Sequence, residues 1–200
     1  MKRTGYLCIA AVVVLTIAGL ANAQGPAPAP MADSSFDVSL HLVLGSNEGG
    51  RGDLPGELSA VTKQMRSNFG FSNYRLASTF MGRISNSGSF EYKSVSNIFG
   101  QQSTVDTQTF LEWSLGDFHT VPTAGGGQAV QARAFRFGAK VPVVLGPTGG
   151  DKAAPVQYES IGVNVGRFVV AQNTPTLIGT LNLPGTSGTI FLVMTVRSAD

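Results

Sequence analysis

From Phe36 to Leu44 the chain places Phe36, Val38, Leu40, Leu42 and Leu44 on every second position, with Asp37, Ser39 and His41 between them. Side chains of a strand point alternately to its two faces, so this pattern predicts a half-buried strand. His41 then belongs to the opposite face, turned to solvent or to a second layer. The loop Gly45 to Asp53 follows, and Asp53 is placed to cap a helix because a carboxylate can accept from the free amides of a first turn. Pro55 lies within that turn, where its missing N–H costs little.

The period then changes. Leu54, Leu58, Val61, Met65 and Phe69 recur at spacings of four, three, four and four, while Lys63, Gln64, Arg66 and Ser67 fill the other arc. This is one apolar face of a helix turned to a core, with Gly70 as its expected left-handed stop. From Phe71 to Ile84 the alternation returns, with Tyr74, Leu76 and Phe80 on one side and Arg75, Ala77, Thr79 and Met81 on the other. Strand, helix, strand is the opening unit.

Beyond Ser85 only strand texture remains. Alternating runs predict strands near Ser89 to Phe99, Thr107 to Leu115, Val130 to Val144, Gln157 to Val170, Thr176 to Leu183 and Gly188 to Arg197. Turn signals stand at Asn86-Ser87-Gly88 and Gly100, and Gly125-Gly126-Gly127 and Gly146 to Gly150 read as loops. No fixed-length repeat marks a propeller or solenoid. The expected fold is therefore α+β and mostly antiparallel, sandwich-like or a sheet, with one amphipathic helix near its start.

The N-terminus changes the setting. Lys2 and Arg3, the apolar run Tyr6 to Leu20 and the small-residue end Ala21-Asn22-Ala23 make a secretory signal over residues 1–23, with an apolar run too short to span a bilayer comfortably. Gln24 to Ser35 is a Pro/Ala-rich spacer, and residues 36–200 are the expected single β-rich domain. The one cysteine, Cys8, sits inside the signal, so the mature chain has no disulfide and relies on its apolar core. With 42% apolar residues in 200, such a core is affordable. That combination suits a bacterial periplasm or the medium outside the cell.

Charge removes one class of partner. The formal charge of +2 includes Lys2 and Arg3; without them twelve basic residues face twelve acidic ones. There is no basic stripe for a phosphate backbone, and nucleic acid is not an expected partner.

Candidate chemistry is sparse. His41 and His119 are the only histidines, neither has a partner at ligand spacing, and no cysteine remains to complete a zinc set, so no metal or cofactor is implied. No Gly-x-Ser-x-Gly elbow marks a serine nucleophile. In Gly146 to Lys152 an acid, Asp151, separates Gly150 from Lys152 where a phosphate loop needs Gly-Lys followed by Ser or Thr. Arg51-Gly52-Asp53 is an adhesion tripeptide in an exposed loop, but Asp53 already has a capping role. Glu57, Glu91, Asp106, Glu112, Asp117 and Glu159 are scattered carboxylates, and a glycosidase pair is spatial rather than sequential. Trp113 stands alone beside Glu112, so no local aromatic cluster marks a sugar platform. Should the domain be a hydrolase, Glu112 and Asp117 are the acid and base to examine, with His119 beside Asp117 as the further candidate.

The run Ile161 to Val170, the segment Pro175-Thr176-Leu177-Ile178-Gly179-Thr180 and the closing strand Ile190 to Val196 resemble the terminal strands of bacterial secretins. Here Ala171-Gln172-Asn173-Thr174 replaces that family's Gly-Gln-Thr turn. The Leu54 to Arg83 segment is similar to uncharacterised exported bacterial envelope proteins with a comparable helix and strand. These resemblances imply a soluble relative or accessory part of a cell-envelope export complex. The sequence thus supports a non-enzymatic periplasmic or secreted binding or assembly protein, with protein partners in the envelope and no stable membrane span after signal cleavage. A cofactor-free hydrolase acting on envelope polysaccharide is the rival reading.

Overall fold

The computed structural model describes residues 34–48, 52, 54–96, 108–145, 155–183 and 188–199. The expected signal, most of the expected spacer, Asp53, Gly100, Asp106 and the expected loop from Gly146 to Lys152 lie outside the described residues. The described body falls within the compact unit Ser34–Asp200.

Among the described residues, eight strands form two antiparallel sheets. They are β1 (Ser35–Ser46), β2 (Asn73–Ser85), β3 (Phe90–Ser96), β4 (Thr109–Pro122), β5 (Gln128–Val144), β6 (Val156–Ala171), β7 (Thr176–Asn182) and β8 (Thr189–Ala199). The first sheet runs β2-β1-β8-β7 and the second β3-β4-β5-β6. Strand β1 begins one residue before the expected boundary, Ser35 pairing with both Ser85 and Ala199. The later strands fall where the alternation places them, except that β4 runs on to Pro122.

The alternating residues explain the layering. Phe36, Val38, Leu40 and Leu42 of the first sheet meet Leu111, Trp113, Leu115, Phe135 and Phe137 of the second in one buried core. Burying each such side chain stabilises the fold by about 1.5–3 kcal/mol. Aromatic pairs bridge the sheets: Phe36 lies 5.3 Å from Phe118, and Phe80 lies 5.1 Å from Tyr92, centroid to centroid. The result is a β-sandwich.

Both sides of the sandwich are joined by the chain itself. Edge strand β2 turns at Asn86-Ser87-Gly88 into β3, the edge of the second sheet, and β6 at the other side passes into β7. The first corner clasps β4: Ser87 N–H donates to Phe118 O at 2.6 Å, and Thr120 N–H to Asn86 Oδ1 at 3.3 Å. Gly82 leaves room for the Phe90 ring, which a Cβ there would strike.

A 3-10 turn (Gly56–Leu58) and the helix α1 (Ser59–Asn68) cover the outer face of the first sheet. Leu58, Val61 and Met65 are buried against Val43, Tyr74, Phe191 and Val193, with Leu54 and Phe69 half-buried at the margins. The expected apolar face is therefore a packing face. The expected left-handed stop at Gly70 does not occur: among described glycines only Gly126 has positive φ. Instead Phe69 at the helix end is extended, and the buried Tyr74 hydroxyl lies 3.1 Å from Met65 O and 3.0 Å from Phe69 O. The single O–H of this side chain is thus shared between Met65 O, which also accepts from Phe69 N–H at 2.8 Å, and Phe69 O, at the end where a left-handed residue was expected.

Strand β2 corrects a second expectation. Its pairing with β1 shifts between Leu42 and Val43, so Ala77 is an extra residue, a bulge. One inserted residue reverses the facing of everything beyond it. Tyr74 and Leu76 therefore pack beneath the helix, whereas Phe80 and Ile84 enter the inter-sheet core. They do not share one face.

Candidate functional site

Among the described residues, the outer face of the second sheet is concave. Three cross-strand rows build it. Val95, Phe110, Lys140 and Ser160 form the first; Lys93, Glu112, Gly138 and Gly162 the second; Glu91, Ser114, Arg136 and Asn164 the third. Gly138 and Gly162 are partners on neighbouring strands, so the middle row loses its side chains over β5 and β6. At ~3.3 Å per residue, Arg136 and Lys140 stand about 13 Å apart along β5 on either side of that gap.

Two adjoining hollows result. One, of about 550 Å³, is lined by Lys93, Val95, Phe110, Glu112, Lys140 and Ser160 over a floor that includes Gly138. The other, of about 420 Å³, is lined by Glu91, Glu112, Ser114, Arg136, Gly138 and Asn164. Both volumes are in the ~300–1,000 Å³ range of small-ligand sites. Glu112 borders both, its side chain folded 3.3 Å from where a Gly138 Cβ would stand.

Electrostatics within the face are mixed. Lys93 Nζ lies 2.9 Å from Glu91 Oε1, and this carboxylate, with Glu112 as a further contributor, holds the Lys93 ammonium above its usual range. Phe110 and Tyr158 are 46% and 45% exposed, and their rings approach to 5.8 Å across β5. That aromatic pair was invisible in sequence because its members stand on different strands. Trp113, the tryptophan beside Glu112 in sequence, points the other way and is buried in the core, its Nε1 without a hydrogen-bond partner.

The remaining sequence candidates go elsewhere. Asp117 has φ of 49° at a bulge of β4; its carboxylate meets Arg133 at 3.0 Å and lies 3.8 Å from His119 Nδ1, which is also 3.1 Å from the Asp117 carbonyl. Of Glu112 and Asp117, considered together as acid and base, Asp117 is thus held by Arg133 at a bulge, while Glu112 borders the two hollows further back on the same strand. Glu91 instead shares the second hollow with Glu112, at diagonal positions of paired strands. Glu57 is bound to Arg197 at 2.9 Å, and Glu159 is exposed on β6.

His41 does not face solvent. It is 5% exposed on the helix-covered side of β1, with Nδ1 3.0 Å from Thr79 Oγ1. Burial pushes its pKa below the usual 6.5; Glu57 opposes that shift and Arg197 adds to it. Among the described residues no cluster of three or more His, Cys, Asp or Glu is placed to hold a metal, and no helix is long and apolar enough to cross a membrane.

Comparison with protein-family models and with curated proteins gives no match for this chain.

Proposed function

We propose that this chain is an exported bacterial envelope or secreted binding and assembly protein that works without catalysis, and that the outer face of its second sheet is the binding surface. The observation that carries this reading is the pair of hollows over Gly138 and Gly162, rimmed by polar side chains and flanked by the exposed Phe110–Tyr158 pair. An exposed aromatic pair beside a preformed depression is apolar surface left uncovered, as at interaction sites. The export signal supports the location, and the secretin-like closing strands support an envelope export complex as the setting.

The test is to express the full chain with its own leader, locate it by fractionation, and recover it with its partners under native conditions. Recovery of the protein with an envelope partner or ligand, lost on Gly138→Val, is the expected result. A protein retained in the cytoplasm, or a lone species with no partner or ligand, would reject the reading.

A hydrolase of envelope polysaccharide is the second reading, favoured by one observation: Glu91 and Glu112 line the same hollow. Paired carboxylates about 5–9.5 Å apart are what glycoside hydrolysis uses. Against it stands the Glu91–Lys93 ion pair, which keeps one of the two carboxylates engaged. Release of new reducing ends from a polysaccharide, abolished by Glu112→Gln, would favour hydrolysis over binding.

A further inference from the structure

The ligand class can be read from what the two hollows offer, provided that this face is the binding surface. We infer that it takes a short stretch of uncharged glycan, with successive sugar rings seated on either side of Glu112.

The floor comes first. Where Gly138 meets Gly162 the sheet presents bare backbone, and at the wider hollow Val95 and Phe110 extend it with apolar surface. A pyranose ring has an apolar C–H face that can lie on such a floor and against an exposed aromatic edge. The rim comes second. Glu112 can only accept hydrogen bonds, Lys140, Arg136 and Lys93 can only donate, and Ser160 and Asn164 can do both. Sugar hydroxyls are donors and acceptors at once, so a rim of mixed character matches them all round the ring. Glu112 borders both hollows and can accept from hydroxyls on each side.

Charge and backbone geometry argue against the other occupants. Lys93, Arg136 and Lys140 are set against Glu91 and Glu112, a near balance that gives no strong pull on a polyanion. An extended peptide lying over this face would find no backbone partners, because the β3–β4, β4–β5 and β5–β6 ladders engage the amides and carbonyls in the plane of the sheet. It would keep only side-chain contacts.

Isothermal titration of the exported full chain with chitotetraose, cellotetraose and laminaritetraose, beside an uncharged extended dodecapeptide, tests this. Saturable binding of at least one tetrasaccharide is expected. Gly138→Val, whose Cβ would stand 3.3 Å from the Glu112 side chain, should weaken it at least tenfold, and Glu112→Gln should weaken it about tenfold because a carboxylate is a stronger acceptor than an amide. Met81→Ser, at an exposed position of the first sheet, should leave it unchanged. Emission of the buried Trp113 beneath this face reports whether each variant keeps its fold, and Glu112→Gln carries the test should valine disturb β5.

Peptide binding lost on Gly138→Val, with no sugar bound, would overturn the glycan inference and leave the binding function standing. Sugar binding unaffected by either variant would overturn the assignment to this face. No binding by any probe would overturn the inference. Binding accompanied by cleavage would uphold the ligand class and reject the non-enzymatic reading.

Discussion

At the scale of single residues, Tyr74 does two jobs that are usually divided. Its ring packs beneath the helix, 5.6 Å from Phe191, and its hydroxyl serves the carbonyls at the helix end. Burial accordingly pushes its phenol above the usual pKa. Tyr74→Phe keeps the ring and removes the hydroxyl, leaving terminal carbonyls without that donor. It should destabilise the fold by about 1–2 kcal/mol, read as a lower urea midpoint with an unchanged slope. Trp113 illustrates the opposite case, a polar atom that packing alone holds in the core. Sequence made it a neighbour of Glu112; the strand alternation puts the two on opposite faces, one in the core and one in the hollows.

At the scale of elements, the docking of the helical layer on the first sheet contains a proton-sensitive position. His41 on β1 faces Thr79 on β2, with Glu57 of the 3-10 turn and Arg197 of β8 as the charged groups that act on it. Its folded pKa is depressed, so the unfolded chain binds the proton more readily. The stability this gives is complete above about pH 6.5 and is lost as pH falls from there through the folded pKa. Thermal melts at falling pH should show this loss, and His41→Gln should flatten that part of the profile. An unchanged pH profile in the variant would show that His41 does not set it. The Asp37–Arg83 pair, at 2.8 Å, acts lower: the guanidinium holds the carboxyl below its usual range, so what this exposed pair contributes is lost as pH falls below about 4 and is small.

At the scale of the whole described body, the two cores share β1 and β8. Val38, Leu40 and Leu42 face the second sheet while Val43 faces the helix, and Phe191 and Val193 of β8 alternate in the same way with Leu192 and Met194. Neither layer can leave without exposing the strands that the other needs. Unfolding in urea should therefore follow one transition, with the emission of Trp113, which reports the second sheet, coinciding with far-ultraviolet dichroism. Separate midpoints would mean that the helical layer melts by itself.

Period in the sequence determined the elements. Alternation placed eight strands and the 3.6-residue repeat placed one helix with its buried face, because burial of an amphipathic element is a local property of side-chain spacing. Sheet membership and facing were decided only in three dimensions. The bulge at Ala77 separates Tyr74 and Leu76 from Phe80, and His41 is buried beside Thr79, each depending on a strand partner distant along the chain; the Tyr74 hydroxyl replaces the expected glycine stop only because β2 turns back beneath the helix. The candidate site follows the same rule. Glu112 was legible as a carboxylate of interest, but its hollows need Gly138 beside Gly162 and Phe110 against Tyr158, and only pairing of β4, β5 and β6 in one register brings these together.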